Sequence, residues 1–141
     1  MLVRLMYASR ATDSVDQDEL LAILRQSKSG NAGSGITGVL CFSGGIFLQV
    51  LEGEAEAIDQ CFGRIQSDHR HERITPLYRA PIEAARFPEW SMRYVSSAGP
   101  ADRAVSSFLD QLQTHPTSEA VQQAITLLHR LSTGSAQWKA R

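Results

Sequence analysis

The chain has 141 residues, of which 43% are hydrophobic and 21% are charged, and its formal net charge is −1. This length predicts one domain with a short appendage, and the composition is that of a soluble globular protein. The near-neutral charge argues against a general electrostatic attraction to nucleic acid or to anionic membranes, so neither is expected as a partner.

The N-terminus and the two cysteines indicate a cytoplasmic protein. Residues 1–7 lack a charged segment followed by a long apolar one, so neither a signal peptide nor a membrane span is predicted. Cys41 and Cys61 lie in apolar runs rather than in a Cys-x-x-Cys pair, which predicts two buried thiols without a disulfide. Unpaired thiols favour a reducing compartment.

The first apolar run, over residues 2–9, predicts a strand that contains Tyr7. Ser14 and Gln17 have the spacing of a capping box, and the apolar side chains within residues 20–24 predict the helix that this box begins. A strand followed by a helix is the first half of an α/β unit.

The end of this helix is predicted near Ser27, because residues 28–35 are rich in Gly, Ser and Asn. Gly30 or Asn31 would then adopt the left-handed conformation that commonly ends a helix. Asn31 is therefore expected in a loop, either as a turn residue or as a binding residue.

Residues 35–53 predict a β-hairpin with a tight turn at Gly44–Gly45, because glycine tolerates the positive φ of such turns. Val, Ile, Leu and Phe surround the turn on both sides, as in a buried sheet. Gln49 interrupts this pattern, and a buried amide is costly unless its hydrogen bonds are satisfied. The hairpin therefore predicts a binding partner for Gln49.

The next segment predicts a second helix with apolar positions between residues 58 and 65, ending near residues 68–71. A strand is expected over residues 74–82. Pro76 and Pro81 predict an edge strand or irregular pairing, because proline cannot donate a ladder hydrogen bond.

Alternating side chains at residues 90–94 predict a last short strand, and residues 96–102 mark a change in composition. Apolar stripes over residues 105–112 and 121–131 then predict two amphipathic helices, separated by a turn at residues 115–118. The predicted domains are therefore a core over residues 1–96 and a helical extension over residues 97–141.

This order predicts an α+β fold, the ferredoxin-like βαββαβ sandwich, with an extra short strand and a C-terminal helix pair. Both helices of such a sandwich pack on one face of the sheet, so the other face would be bare. The C-terminal helices either cover that face or form a homodimer contact, and the sequence leaves both outcomes open.

Polar side chains in apolar surroundings are the candidate functional residues. Tyr7 and Gln49 lie on strands that are adjacent in this topology, although Tyr7 also fits an ordinary core tyrosine. Arg64 and Asp68 are four residues apart, which fits a surface ion pair on one helix as well as a binding role.

Residues 68–71 contain acidic and histidine side chains, but a solvated helix end explains them better than a metal site does. Trp90 and Met92 share one side of their strand and are compatible with a core position. Nucleophile elbows, phosphate loops and paired catalytic carboxylates are not apparent, so the chain is not predicted to be an enzyme.

Five blocks, in this order, carry a family resemblance: Tyr7 and Ser9; Asn31 before Gly35–Leu40; Phe47–Gly53; Arg64–His71; and Phe87 with Trp90–Met92. Together they resemble the BLUF family, the blue-light sensors that use flavin, over residues 2–95. The segments Phe-Leu-Gln-Val-Leu-Glu-Gly and Trp-Ser-Met are the most specific parts.

The resemblance implies that a flavin lies between the two helices of the sandwich. FAD is the flavin expected, and FMN or riboflavin would suit the same ring pocket. Tyr7 would give an electron and a proton to the photoexcited ring, Gln49 would bridge Tyr7 and the ring, and Asn31 would hold the pyrimidine edge.

The other positions that the resemblance implies are Arg64, Asp68 and Arg70 near the ring or its ribityl side, Ser9, Ser27 and His71 as secondary contacts, and Met92 with Trp90 near Gln49. Exchange between Trp90 and Met92 would accompany signal output. One departure is Gly30, where relatives often have a polar or aromatic residue that contacts the flavin tail.

The resemblance therefore implies a blue-light photoreceptor in which light rearranges the hydrogen bonds of Gln49. The signal would pass through the sheet and the C-terminal helices to a separate partner protein. The alternative is a ferredoxin-like sensor of a small polar ligand without photochemistry, in which Gln49, Asn31 and Arg64 bind that ligand. A yellow protein with a reversible red shift under blue light distinguishes the first from the second.

Overall fold

The computed structural model describes residues 1–12, 16–87, 93–95 and 100–133. The elements are β1 (Leu2–Ala11), α1 (Gln17–Ser34), β2 (Thr37–Ser43), β3 (Ile46–Glu54), α2 (Ala55–Gln66), β4 (His71–Pro81), β5 (Arg93–Val95), α3 (Pro100–Thr114) and α4 (Ser118–Thr133). Within these residues the strands form one sheet in the order β4-β1-β3-β2-β5. The pairs are antiparallel except for β2 and β5. The ferredoxin-like prediction, with an added short strand and C-terminal helices, is confirmed.

The hairpin is formed as predicted. Phe42 pairs with Phe47 and Ser43 pairs with Ile46, which leaves Gly44 and Gly45 as the turn. Their φ angles are 59° and 79°, in the left-handed region that a side chain disfavours. This turn fixes the register of β3, and hence the face on which Gln49 lies.

The beginning of α1 differs from the capping-box prediction. Asp16 is the N-cap residue, and its side chain accepts a hydrogen bond of 2.9 Å from the backbone N–H of Glu19. Gln17 is the first helical residue, and Ser14 lies outside the described residues. An aspartate cap also suits the positive end of the helix dipole better than a neutral serine does.

The end of α1 also differs, because the helix continues to Ser34 rather than ending near Ser27. Gly35, with φ of 69°, is the left-handed residue, and its N–H bonds to the carbonyl of Asn31. The prediction of Asn31 as a loop or cap residue was therefore wrong. Gly30 lowers helix propensity by only about 1 kcal/mol, which the packing of this segment overrides.

The region after α2 is also corrected. The helix ends at Gln66, so Asp68 lies in the following turn and does not share a helical face with Arg64. The next strand begins at His71 rather than at Ile74. This strand, β4, is an edge strand as its prolines predicted.

The C-terminal helices cover the face of the sheet that the sandwich leaves bare. The cluster that they share with the sheet comprises Met6, Ala8, Val39, Cys41, Ile46, Leu48, Val50 and Phe87 with Leu109, Leu112, Val121, Ala124, Ile125 and Leu128. The sequence left open whether these helices cover the sheet or form a homodimer contact, and in the structure they cover the sheet. The boundary at residue 97 and the homodimer stay predictions.

The opposite face packs against α1 and α2, with Leu5, Phe47 and Leu51 of the sheet in contact with Leu24 and Ile58 of the helices. In the described part of the chain, every helix is too short or too polar to cross a membrane. The space between α1, α2 and the sheet contains the cavity described next.

Candidate functional site

A cavity of about 250 Å³ lies between α1, α2 and the sheet. Its lining residues are Tyr7, Ile23, Gln26, Ser27, Gly30, Asn31, Leu40, Gln49, Cys61, Arg64, Ile65, Asp68, Arg70 and His71. Most of the lining surface is apolar, with aliphatic side chains from Ile23, Leu40 and Ile65, and polar groups reach it from five elements and one turn. A mostly apolar cavity with a few placed polar groups is typical of small-molecule sites.

Tyr7 and Gln49 form a buried pair on the sheet side of the cavity. They are cross-strand partners on β1 and β3, so their side chains leave the same face of the sheet. The Tyr7 hydroxyl donates a hydrogen bond to Oε1 of Gln49, and both residues are at most 3% exposed. The predicted proximity of the two residues is confirmed.

The environment of Tyr7 keeps its hydroxyl protonated. Burial raises the pKa of the Tyr7 phenol far above its usual value, and the nearby Cys61 and Asp68 raise it further. The ring packs against Phe62, with centroids 5.4 Å apart. Tyr7 is therefore a firmly positioned hydrogen-bond donor.

Asn31 is buried in α1, at the opposite wall of the cavity. Its Oδ1 lies 3.9 Å from the thiol of Cys61, which acts as a weak donor. Burial raises the pKa of this thiol, so it retains its proton near neutral pH. Both cysteines are buried and free as predicted, but the position of Cys61 in the cavity wall was not predicted.

Asp68 and Arg70 form an ion pair in the turn before β4. Nε of Arg70 lies 2.9 Å from Oδ1 of Asp68, and Nη2 lies 2.6 Å from Oδ2. Hydrogen bonding from Arg70 lowers the pKa of Asp68 to about 2, and the same contact raises the pKa of Arg70. The partner of Asp68 is thus Arg70 and not Arg64, which corrects the predicted surface pair.

His71 lines the cavity and is held by Ser9. Oγ of Ser9 lies 2.9 Å from Nδ1 of His71, and Ser9 is fully buried. The imidazole also packs on Phe47, with ring centroids 4.8 Å apart. Burial lowers the pKa of His71; the charge of Asp68 raises it in part, and that of Arg70 lowers it. Ser9 is not one of the described residues that line the cavity, and its contact with the site is this bond to His71.

The remaining predicted positions divide into two groups. Ser27 and Arg64 line the cavity. Trp90 and Met92 lie outside the described residues. Sequence reasoning missed Gln26, which lines the cavity three residues after Ile23 on α1, because no pattern in the sequence distinguishes it from the other polar residues of this helix.

Comparisons with known proteins agree with this geometry. The family described as "Sensors of blue-light using FAD" (BLUF) matches residues 2–93. Photoactivated adenylate cyclase subunit beta of Euglena gracilis is 37% identical over 92 residues, which are 64% of this chain and 11% of that protein. The chain therefore spans about 11% of the length of this curated relative.

Two solved structures are similar over nearly their whole length. "BlsA photo-activated state" has a TM-score of 0.80 and 29% identity, and the match covers 99% of each chain. "BlrB - a BLUF protein, dark state structure" has a TM-score of 0.73 and 34% identity, covering 93% of this chain and 94% of that one. From the match over residues 2–93, the chain belongs to the BLUF family of blue-light sensors, whose chromophore is FAD.

Proposed function

We propose that the chain is a blue-light photoreceptor in which Tyr7 and Gln49 are the light-responsive pair. The observation that carries the proposal is the hydrogen bond from Tyr7 to Gln49, buried at the wall of the cavity. If a tyrosine and a glutamine formed this hydrogen bond inside a closed core, their role would be structural. Here both also face a space that can receive a ligand.

The cavity fits the ring of a flavin. A flavin ring is a large apolar plane with hydrogen-bonding edges, and the cavity offers aliphatic walls from Ile23, Leu40 and Ile65. The volume of about 250 Å³ is slightly below the range of roughly 300–1,000 Å³ that is usual for small-molecule sites. This volume suits the flavin ring better than a whole dinucleotide, so most of the FAD tail would lie outside the cavity.

The residues proposed to hold the flavin are those whose polar groups line this cavity. Asn31 offers an amide with donors and acceptors to the ring edge, and Ser27 lies one helical turn before it. Arg64, Arg70 and His71 supply donors at the opposite wall, with Asp68 holding Arg70. Ser9 contributes by orienting His71. Met92 stays a prediction.

A bound flavin supplies blue-light absorption and the capacity to accept an electron. Tyr7 is the proposed donor, and its proton has a route along the hydrogen bond from its hydroxyl to Oε1 of Gln49. An amide carries both an acceptor and donors, so rotation of the Gln49 side chain changes which of them faces Tyr7. Phe47 and Leu51, its neighbours on the same face of β3, are buried, which limits the amide to a few orientations.

The proposed output runs from the cavity to α3. Arg73 follows His71 on β4 by two residues and has φ of 53°, a strained conformation for a non-glycine residue. Nε2 of Gln113 on α3 donates a 2.6 Å hydrogen bond to the carbonyl of Arg73. A conformational change at His71 would thus reach α3 through this strained segment. A separate protein, or a second copy of the chain, would bind to α3 and α4 and respond to that change.

The central test is the absorption spectrum of purified Gln49→Leu and Tyr7→Phe. Both variants should bind flavin and lose the reversible red shift, because each removes one end of the hydrogen bond. Tyr78→Phe, half-buried on the opposite face of the sheet, is the matched control and should shift normally. A normal shift in either test variant contradicts the assigned roles, and a chain that takes up no flavin contradicts the photoreceptor function itself.

The output route has a separate test in hydrogen exchange of the full chain. Light should increase exchange in α3 of the wild type and less so in Gln113→Ala, while exposed Gln111→Ala on the same helix should behave like the wild type. Equal exchange in light and dark would contradict this route and leave the photochemistry untouched.

A further inference from the structure

Gln26 and Arg70 connect the two walls of the cavity at its solvent rim. Both residues line the cavity, Gln26 from α1 and Arg70 from the turn after α2. Nη2 of Arg70 donates a 2.7 Å hydrogen bond to Oε1 of Gln26. Gln26 is exposed, so this contact lies where the cavity meets solvent.

The two halves of the contact differ in how firmly they are held. The guanidinium of Arg70 is fixed by Asp68, and the backbone N–H of Arg70 also bonds to Oδ1 of Asp68 at 3.0 Å. The carbonyl of Arg70 accepts a 3.1 Å hydrogen bond from the N–H of Thr12, the residue after β1. Gln26 is instead an exposed side chain with several rotatable bonds, so it is the half that can release.

We propose that Gln26 is a latch that controls the entry and release of flavin by closing the rim of the cavity against Arg70. The proposal rests on the flavin site described above and assigns to Gln26 a role in exchange rather than in photochemistry. The donor of this hydrogen bond is charged, so the bond is strong enough to slow opening of the rim. Because the bond is also exposed to solvent, it is weak enough to break repeatedly.

The latch has a kinetic signature that an ordinary ligand contact lacks. The contact joins two protein side chains, so breaking it removes a barrier that flavin meets in both directions. Loss of the contact should therefore raise the association and dissociation rates together and leave the dissociation constant nearly unchanged. A residue that merely touches the flavin would change the dissociation rate and the dissociation constant together.

The experiment compares Gln26→Ala with Gln60→Ala, an exposed glutamine of α2 that does not line the cavity. FAD-loaded protein is mixed with excess riboflavin, and the flavin that stays with the protein is identified over time. The dissociation constant comes from titration of flavin-depleted protein with FAD. Gln26→Ala should exchange about three- to tenfold faster than the wild type, as for loss of one partly exposed charge-assisted hydrogen bond, with a dissociation constant within about twofold.

A second variant, Gln26→Glu, keeps an acceptor for Arg70 and should exchange no faster than the wild type. Wild-type exchange in Gln26→Ala, or equally fast exchange in Gln26→Glu, would overturn the latch. So would faster release with a proportionally weaker dissociation constant, since Gln26 would then be a flavin contact. The red shift is recorded on the same samples: its absence in the wild type counts against the photoreceptor proposal and not against the latch.

Discussion

The two faces of β3 are buried to the same extent but are built differently. Leu48 and Val50 point to the face covered by α3 and α4, where they join a continuous apolar cluster. Gln49 points to the other face, beside a cavity of about 250 Å³. The face under α3 and α4, here called the closed face, is thus close-packed, whereas the cavity face contains open space and polar groups. Residues next to each other in sequence can therefore serve stability on one side and function on the other.

Each face also contains a buried polar residue of β3, and the comparison shows how to tell their roles apart. On the closed face, Glu52 bonds to Nε of Arg4 at 2.8 Å and to the backbone N–H groups of Arg86 and Phe87 at 2.9 and 2.8 Å. These partners are fixed parts of the fold. Gln49 instead bonds to Tyr7 beside the cavity, so its hydrogen bonds can change when a ligand binds.

The largest effect on stability is expected from Leu48→Ala on the closed face. Leu48 is fully buried, and its truncation should lower the free energy of unfolding by about 2–5 kcal/mol. Chemical denaturation of the flavin-loaded protein measures this loss. Gln49→Leu should change the same quantity much less, because the new side chain borders a cavity. A larger loss for Gln49→Leu than for Leu48→Ala would refute the division between the faces.

Glu52→Gln should have the next largest effect, about 2–4 kcal/mol, because it removes a buried charge opposite the partly buried Arg4 and replaces one acceptor with a donor. Glu54→Gln is the matched control. Glu54 bonds to the N-terminal ammonium, but both groups are largely exposed, so its loss should cost less than about 1 kcal/mol. Similar losses in the two variants would show that the buried contacts of Glu52 stabilise the fold no more than an exposed ion pair does. Both measurements use denaturant unfolding.

The same comparison explains what the sequence could predict. The hairpin was predictable because a two-residue Gly-Gly turn sets the register of β2 against β3, which pairs Gln49 with Leu40. The order of elements predicts β1 and β3 as neighbours, and the register between them pairs Tyr7 with Gln49. The alternation along β3 likewise separates Gln49 from Leu48. These inferences use local patterns and strand pairing, which the sequence carries directly.

The rim of the cavity was less predictable, because it depends on contacts between distant segments. The end of α1 was misplaced since glycines usually interrupt helices, yet here Gly35 and not Gly30 adopts the left-handed conformation. The partner of Asp68 was misassigned for a similar reason, because α2 ends two residues before it. The bond between Gln26 and Arg70 joins residues 44 positions apart, and no periodic pattern marks it.

The smallest effect expected concerns the stability of the protein at acid pH, where His71, a half-buried base at the cavity, takes up a proton. Burial lowers its pKa below the usual value of about 6.5, although Asp68 opposes this shift and Arg70 reinforces it. Ser9, Tyr7 and Phe47 surround the ring without adding charge.

The unfolded chain therefore binds a proton to this histidine at a higher pH than the folded chain does. This contribution to the free energy of unfolding is fully present above about pH 6.5 and falls as the pH drops toward the lowered pKa. His71→Gln should flatten that part of the stability profile of the flavin-loaded protein, whereas exposed His69→Gln should leave it as in the wild type. Equal profiles for His71→Gln and the wild type would mean that the cavity face tolerates a charged imidazole, and would remove the acid sensitivity that distinguishes it from the close-packed face.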